Sequence, residues 1–364
     1  MGWPRGGNFN VSESGKLVGE TAARIFADFA DPGTVNRAKD DAWKQALWNA
    51  LADAGLTLAW VPEEAGGAGA SLADGFEILG VAGRFAVAVP LAETMLAGWL
   101  LARAGIAAPS GPMTLVPARP GDSIALDPGG SLTGRAGGVP FAREARHLAV
   151  MAKGATGATI ALVAAGEYRL TVHRNLAGDT VGEVTFDRAD PLQVAAAPAG
   201  LTQDALLAMG AVVRSVETAG ALETLLKLTV HYAAERVAFE RPIAKFQAVQ
   251  HSLARLAGEV AAAMTAAGSA ADTIASSAVF DDAVLLEAAS AKIRSAAAAE
   301  EGAAIAHQVH GAIGFTKEHI LHRFTLRMLA WRDDFGHESH WALVLGNRIA
   351  ARGADAFWPL LASR

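Results

Sequence analysis

Cysteine is absent from this sequence of 364 residues, and neither sign of charge dominates it. Without cysteine the chain can form no disulfide, no thiolate metal site and no cysteine nucleophile. Charged residues make up 19% of the chain and leave a net charge of −6, so the basic patch of a nucleic-acid-binding protein is not expected. A chain without cysteine is typical of a reducing compartment, and we expect a cytoplasmic protein.

Long apolar runs are missing as well. No uninterrupted run reaches the roughly 18 residues that cross a bilayer, so no membrane span is expected. Residues 1–10 are polar and rich in glycine, which argues against a signal peptide and predicts a flexible arm. The 52% of hydrophobic residues are nevertheless enough to fill the cores of two or three packed domains.

Three regions differ in hydrophobic periodicity and together predict an α+β protein that is mostly helical. Residues 1–111 show helical spacing and predict an N-terminal helical domain. Residues 112–200 contain short apolar runs between prolines and glycines, which predict a small middle β domain with strands at 114–116, 147–152, 159–164, 168–173 and 183–186. Residues 201–364 return to helical spacing and predict a C-terminal four-helix bundle, with its last helix around Trp341, Leu345 and Ile349.

The segment between the first two bundle helices carries candidate ligand contacts. Arg236 and Arg241 flank a turn predicted at Pro242, and a guanidinium there can clamp a phosphate through two N–H donors. An ordinary helical hairpin with solvated arginines and core phenylalanines fits the same pattern. Phe239 and Phe246 offer flat apolar surface on which a ring of a ligand can lie. Gln247 offers an amide that can both donate and accept hydrogen bonds.

A second segment, residues 307–318, runs from a helix into a turn that contains glycine. Gly311 and Gly314 allow close approach of the backbone to a ligand, and free amides there can bind an anionic group. Thr316 is predicted to restart a helix. An ordinary helix end followed by a turn also fits this pattern.

Taken together, the two segments resemble the C-terminal motifs of the acyl-CoA dehydrogenase family. The shared pattern is Arg-x-x-Phe, Pro-Ile and Phe-Gln, followed by Gln-x-x-Gly-x-x-Gly-Phe-Thr-x-Glu. Residues 58–69 resemble the N-terminal Pro-Glu-x-x-Gly-Gly-x-Gly loop of the family, and residues 8–12 resemble its usual opening. The three-part organisation is similar too.

This resemblance implies FAD at a subunit interface in a homo- or hetero-oligomer, either a dimer or a tetramer. The family reaction removes an α-proton from an acyl-CoA thioester and passes the β-hydride to the flavin, and an electron-transfer flavoprotein is the implied electron acceptor. By position, Arg236 would contact the pyrophosphate and Phe239 the adenine side. The remaining implied cofactor contacts are Phe246, Gln247, Gln308, Gly311 and Gly314.

Two features of the family are missing from the sequence. The catalytic base is usually a glutamate directly before a glycine, and the matching position is Phe335. The alternative position of the base, on the first bundle helix, is Gly210. The β domain also lacks a Thr-Glu-Pro-x-x-Gly-Ser-Asp-like stretch to hold the flavin ring, and its nearest candidates are residues 134–138 and Phe141.

The missing residues serve a chain's own active site, whereas the motifs that are present reach a neighbour's flavin. This asymmetry leads to the hypothesis of an accessory chain in a two-subunit acyl-CoA dehydrogenase. Some bacterial members of the family are built in this way, including members that act in steroid or other lipid catabolism. A self-sufficient dehydrogenase with another base, and a flavin monooxygenase or oxidase on the same scaffold, stay open as alternatives.

A few other polar residues are candidates for chemistry. Asp334 is the candidate substitute for the base, against the interpretation of a solvated acidic turn paired with Arg332. Glu217 is a minor candidate, and a solvated helix glutamate is the expectation. No metal site is predicted, because the histidines lack the carboxylates of a known metal signature. These histidines are expected on helix surfaces or interfaces: His307, His310, His319, His322, His337 and His340.

Overall fold

The computed structural model describes residues 13–277 and 279–362, and it confirms the predicted architecture of helices, a small β domain and a helical bundle. The flexible arm predicted at residues 1–10 and the resemblance at residues 8–12 lie outside the described residues. Side chains such as Phe26, Leu79 and Leu100 form the core of the N-terminal part. Its helices are α1 (Glu13–Ala30), α2 (Pro32–Arg37), α3 (Ala42–Asp53), α4 (Leu72–Arg84) and α5 (Leu91–Arg103).

Eight strands form the sheet of the middle part: β1 (Met113–Val116), β2 (Ser123–Leu126), β3 (Leu132–Pro140), β4 (His147–Gly154), β5 (Gly157–Ala164), β6 (Arg169–Arg174), β7 (Thr180–Ala189) and β8 (Gln193–Ala196). They lie in the order β6-β7-β3-β2-β4-β5-β8, and β1 pairs in parallel with β4. All five predicted runs overlap a strand. The sequence did not predict β2, β3 and β8, because β3 is rich in glycine and the other two carry few large apolar side chains.

The C-terminal part is built around α6 (Gln203–Glu235). The other helices of this part are α7 (Gln247–Ser276), α8 (Asp282–His310), α9 (Leu321–Trp331), α10 (Glu338–Arg352) and α11 (Phe357–Ala362). Helix α6 is long and apolar enough to cross a membrane, but 94% of its most apolar window is buried inside the protein. That burial is typical of the central helix of a globular domain.

One local prediction in this part is wrong. Thr316 does not restart a helix, because a short 3₁₀ turn over Gly311–Phe315 ends there and α9 begins only at Leu321. No separate prediction was made for α9.

Helices α4 and α6 cross at glycines, and this contact fixes the N-terminal part on the bundle. A Cβ atom at Gly83 would lie 2.0 Å from the carbonyl oxygen of Glu217, and one at Gly220 would lie 2.1 Å from the carbonyl oxygen of Gly80. Backbones can approach this closely only where no side chain stands between them. Farther along α6, residues from α5 and from the turn after α9 meet its buried face.

Candidate functional site

The two positions at which the resemblance expects a catalytic base lie against each other. Phe335 is completely buried, and a Cβ atom built on Gly210 would lie 2.4 Å from its ring. Position 210 therefore needs a glycine while a phenylalanine stands at 335. The ring fills the space that a carboxylate at either position would enter, and neither residue can take up a proton.

The turn that carries Phe335 is held from two further sides. Its N–H donates to the carbonyl oxygen of Ala118 at 3.1 Å, and Nε1 of Trp341 donates to the Phe335 carbonyl oxygen at 3.0 Å. Phe335 has a φ of +55°, which is rare for a residue with a side chain. Sequence reasoning missed the loop of Ala118, residues 117–122, although its two prolines and a glycine directly after a strand are a signal that could have found it.

A buried cluster of charges lies next to this turn, one helical turn along α6 from Gly210. The guanidinium of Arg214 donates to carboxylates of Glu217 (2.6 Å), Asp334 (2.8 Å) and Glu93. Arg214 is 3% exposed, and its guanidinium lies 5.9 Å from the Phe335 ring centroid. The cluster thus joins α5, α6 and the turn after α9.

This cluster corrects two expectations. Asp334 is not part of a solvated turn with Arg332, because its largely buried carboxylate pairs with Arg214, while Arg332 pairs with Glu300 and Glu338. Glu217 is not a solvated helix glutamate, since it is buried in the same cluster. Both acids are engaged with one arginine, so neither is placed as a free base.

Burial sets the proton affinity of this cluster. Desolvation raises the pKa of Glu217 to about 7, although Arg214 pulls it down. Desolvation also raises the pKa values of Glu93 and Asp334. Nearby, Nζ of Lys292 donates to the carbonyl oxygen of Trp331 at 2.7 Å, and burial lowers the pKa of this amine to about 7. Glu217 and Lys292 therefore exchange protons in the neutral range.

The first predicted cofactor segment forms a small hairpin after α6. Strands β9 (Val237–Ala238) and β10 (Arg241–Pro242) pair antiparallel, and the turn between them is made by Phe239 and Glu240, both with positive φ. The prediction that Pro242 turns the chain is therefore wrong. A two-residue turn of this kind directs its side chains outward, and Phe239 is 88% exposed.

The charged and aromatic side chains of this segment lie at one surface. Arg236 caps α6 and is exposed, and within the described residues its side chain makes no ion pair. The guanidinium of Arg241 lies 4.3 Å from the Phe246 ring centroid, which in turn lies 6.1 Å from that of Phe239. Gln247 opens α7 and is exposed. The interpretation of Phe239 as a core residue is wrong.

The second predicted segment lies at the end of α8. Gln308 is exposed on its last turn. Gly311 has a φ of +65°, and apart from its two chain neighbours no described residue has an atom within 4 Å of the place that its Cβ would take. Gly314 differs, because a Cβ there would lie 2.9 Å from that of His310. The space beside Gly311 is open to a ligand, whereas Gly314 is required for packing inside the chain.

Aromatic contacts bring the two segments to one end of the bundle. The rings of Tyr232, on the last turns of α6, and His310, at the end of α8, stack with centroids 4.4 Å apart. The Tyr232 hydroxyl also donates to the His310 carbonyl oxygen at 3.1 Å. His310 is thus a buried residue rather than a surface histidine.

The candidates for holding a flavin ring in the β domain lie elsewhere. Residues 134–138 form part of β3, where a bulge interrupts the pairing with β7. Phe141 follows β3 and is 8% exposed. Within the described residues the structure does not bring these candidates together with Arg236 or Gly311.

The residues at the end of the bundle fit the phosphate and adenine end of a dinucleotide such as FAD. Arg236 offers a cation that makes no ion pair with the described residues, and Phe239 and Phe315 are largely exposed rings that can cover a base. Gly311 leaves room for the ligand beside its backbone. The catalytic end is different, because Phe335 closes the position of the base in the same chain.

Comparison with protein families identifies both helical parts. Residues 12–108 match the family model of the acyl-CoA dehydrogenase N-terminal domain, and residues 200–336 match that of the C-terminal domain. Acyl-CoA dehydrogenase FadE27 of Mycobacterium tuberculosis is 31% identical over 307 residues, which cover 77% of this chain and 81% of that protein. Acyl-CoA dehydrogenase IpdE2 of the same organism is 29% identical over 318 residues, covering 86% of this chain and 91% of that protein.

The descriptions of two similar solved structures each name two proteins. The ChsE4-ChsE5 complex from Mycobacterium tuberculosis contains a chain that superposes with a TM-score of 0.81 and 25% identity, covering 94% of this chain and 99% of that one. The Tcur3481-Tcur3483 steroid ACAD contains a chain with a TM-score of 0.80 and 26% identity, with the same coverage.

Proposed function

Because this chain belongs to the acyl-CoA dehydrogenase family, we propose that it is the non-catalytic subunit of a flavin-dependent acyl-CoA dehydrogenase. The observation that carries the proposal is the contact of Phe335 with Gly210. In a homomeric enzyme of this family one of these positions has to supply the carboxylate that removes the α-proton. Here the base has to come from a second kind of chain.

The proposed contribution of this chain is to complete the cofactor site of its partner. Bound FAD would supply the hydride acceptor for α,β-dehydrogenation of an acyl-CoA thioester. Arg236 would hold the pyrophosphate, and Phe239, Phe246 and Gln247 would cover the adenosine end. Gln308 and Gly311 would approach the same end from α8.

The two similar structures whose descriptions name two proteins support a heteromeric assembly for this chain. Because one of them is described as a steroid ACAD, we propose a steroid-derived or other lipid acyl-CoA as the substrate of the enzyme to which this chain belongs. An electron-transfer flavoprotein is the proposed electron acceptor of the whole enzyme. A cytoplasmic location accords with this role.

Substitution of Arg236 tests this role in the assembled complex. We expect Arg236→Ala to lower the amount of FAD that the complex retains after gel filtration about tenfold or more, since one charge-assisted contact to phosphate is lost. Arg24→Ala, an exposed arginine on α1, is the control and leaves the flavin content unchanged. Equal flavin content in both variants would refute a cofactor role for the hairpin.

A further inference from the structure

The contact between Tyr232 and His310 lies next to the turn Gly311–Phe315 at the end of α8, and this turn begins with the proposed cofactor contact Gly311. The Tyr232 hydroxyl bonds to the carbonyl oxygen at the very end of that helix. The tyrosine ring covers one side of the imidazole at 4.4 Å, and the Cβ of His310 lies against Gly314. A shift of either ring therefore moves the backbone of the turn.

We propose that Tyr232 and His310 are positioning residues that set the turn Gly311–Phe315 for FAD, and that they do so only while His310 is uncharged. The inference rests on the proposed cofactor role of this end of the bundle. Neither residue has to touch the cofactor, because each acts through the position of the turn. The proposal predicts that flavin retention changes with pH as the buried His310 gains or loses a proton.

The hydrogen bonds of His310 define its neutral form. Nδ1 lies 2.7 Å from the carbonyl oxygen of Ala306, and because a carbonyl can only accept, Nδ1 carries the proton. Nε2 is buried and has no hydrogen-bond partner in the described part of the chain. A second proton on Nε2 would create a buried cation with no acceptor.

The titratable groups around His310 give no compensation for such a charge. Tyr232 faces it from α6, His307 from α8, and His319 from the segment before α9, with His322 next to His319. Burial lowers the pKa of His310 below its ordinary 6.5, and the neighbouring histidines lower it further. The neutral form therefore prevails at neutral pH, and protonation at lower pH would place a buried charge without an acceptor beside the turn.

Substitutions at Tyr232 test the positioning role, with the dissociation constant for FAD of the deflavinated native complex as readout. Tyr232→Phe keeps the ring and loses the hydroxyl bond, and we expect FAD to bind about fivefold more weakly. Tyr232→Ala also loses the stack and should weaken binding about twentyfold or more. The only other tyrosine of the chain provides the control, Tyr168→Phe, which leaves the constant unchanged. A lower melting temperature with an unchanged dissociation constant in both Tyr232 variants would overturn the proposal.

The pH profile tests the role of His310. Between about pH 7.5 and about pH 5.5 the dissociation constant of the wild-type complex should rise, by at most about tenfold for a single group whose pKa lies below 6.5, because binding then has to expel a proton. His310→Phe should remove this rise, whereas His173→Phe, at an exposed position of β6, should keep it. If His310→Phe does not fold, His319→Phe serves instead, and it should move the onset of the rise to higher pH. A profile that is the same in wild type and in His310→Phe or His319→Phe would overturn the proposal.

Failure of this inference is distinguishable from failure of the proposed function. A wild-type complex that retains no FAD even at about pH 7.5 contradicts the cofactor role of the chain. A complex that retains FAD at both pH values, and does so equally well with Tyr232→Ala, contradicts the positioning role alone.

Discussion

Phe335 and Gly210 pack against each other, and each fits only because of the size of the other. The phenylalanine ring takes the space into which a side chain at 210 would project, and the absence of a side chain at 210 admits the ring. The turn that bears the ring is also bonded to the loop after β1 and to Trp341. Both positions at which the family carries its catalytic base belong to the packed core here. A single substitution to glutamate at 210 or 335 is therefore not expected to create a working base.

The tight fit at Gly210 leads to a prediction about stability. Gly210→Ala should lower the free energy of unfolding by about 1–3 kcal/mol, because the Phe335 ring has to move. Gly258 is the matched control, since it lies on α7 with no atom within 4 Å of an added Cβ, and Gly258→Ala should raise stability by up to about 1 kcal/mol. Urea denaturation measures both. Equal effects of the two substitutions would show that the space at Gly210 is not filled as described.

Glu217 provides a prediction about pH. Because burial holds its pKa at about 7, the folded protein keeps a proton that the unfolded chain releases above its ordinary pKa of 4.5. The stabilisation from this group is complete below pH 4.5 and declines as the pH rises toward 7. Glu217→Gln should remove this decline, a change of at most about 1.4 kcal/mol per pH unit, in urea denaturation measured across that range.

Glu235→Gln, at the exposed end of the same helix, serves as the control and should leave the slope unaltered. The assignment of the proton to Glu217 would be wrong if the slope of Glu217→Gln matched that of the wild type.

Helix α9 connects parts of the protein that lie far apart in the sequence. Arg327 donates to both carboxylate oxygens of Asp179, in the turn before β7, and to the carbonyl oxygen of Ala86 after α4. One side chain of the bundle is thus bonded to the β domain and to the N-terminal part. Both partners of the ion pair are buried, so removal of one leaves the other without compensation.

Arg327→Met should therefore destabilise the protein strongly, by about 3–5 kcal/mol in urea denaturation. Arg135→Met is the control, because Arg135 pairs with Glu183 at the surface and such pairs contribute under about 1 kcal/mol. A small effect of Arg327→Met would mean that α9 does not couple these parts.

The elements that could be predicted from the sequence are those with a pattern of residues contained within the element itself. Helices α6, α7 and α8 follow the 3.6-residue period of their apolar side chains, and the cofactor segments are short motifs with characteristic spacing. Strand β3 was missed because glycine gives no apolar alternation, although its backbone pairs on both sides. The burial of Glu217 and Asp334 could not be predicted, because it depends on Arg214 meeting Glu93 of α5 and Asp334 of the turn after α9, which lie 121 and 120 residues away in the sequence.

Across the whole molecule, the two ends of the candidate site differ in character. At the end that would carry out proton abstraction, Phe335 fills the space of the base, and the buried charge cluster around Arg214 lies next to it. The end that would meet a partner's cofactor presents exposed rings and the exposed Arg236, which makes no ion pair in the part of the chain that the structure describes. This difference is what the proposed role of a non-catalytic subunit predicts, because such a chain needs the surface that faces the cofactor and does not need the base.

The flavin-to-polypeptide ratio of the purified chain, read from its visible absorption spectrum, tests this account most directly. We predict a ratio near zero for the chain alone, even after incubation with added FAD, and retention of flavin once the partner subunit is present. A ratio near one for the chain alone would contradict the account, because it would mean that this chain completes a flavin site without a second kind of subunit.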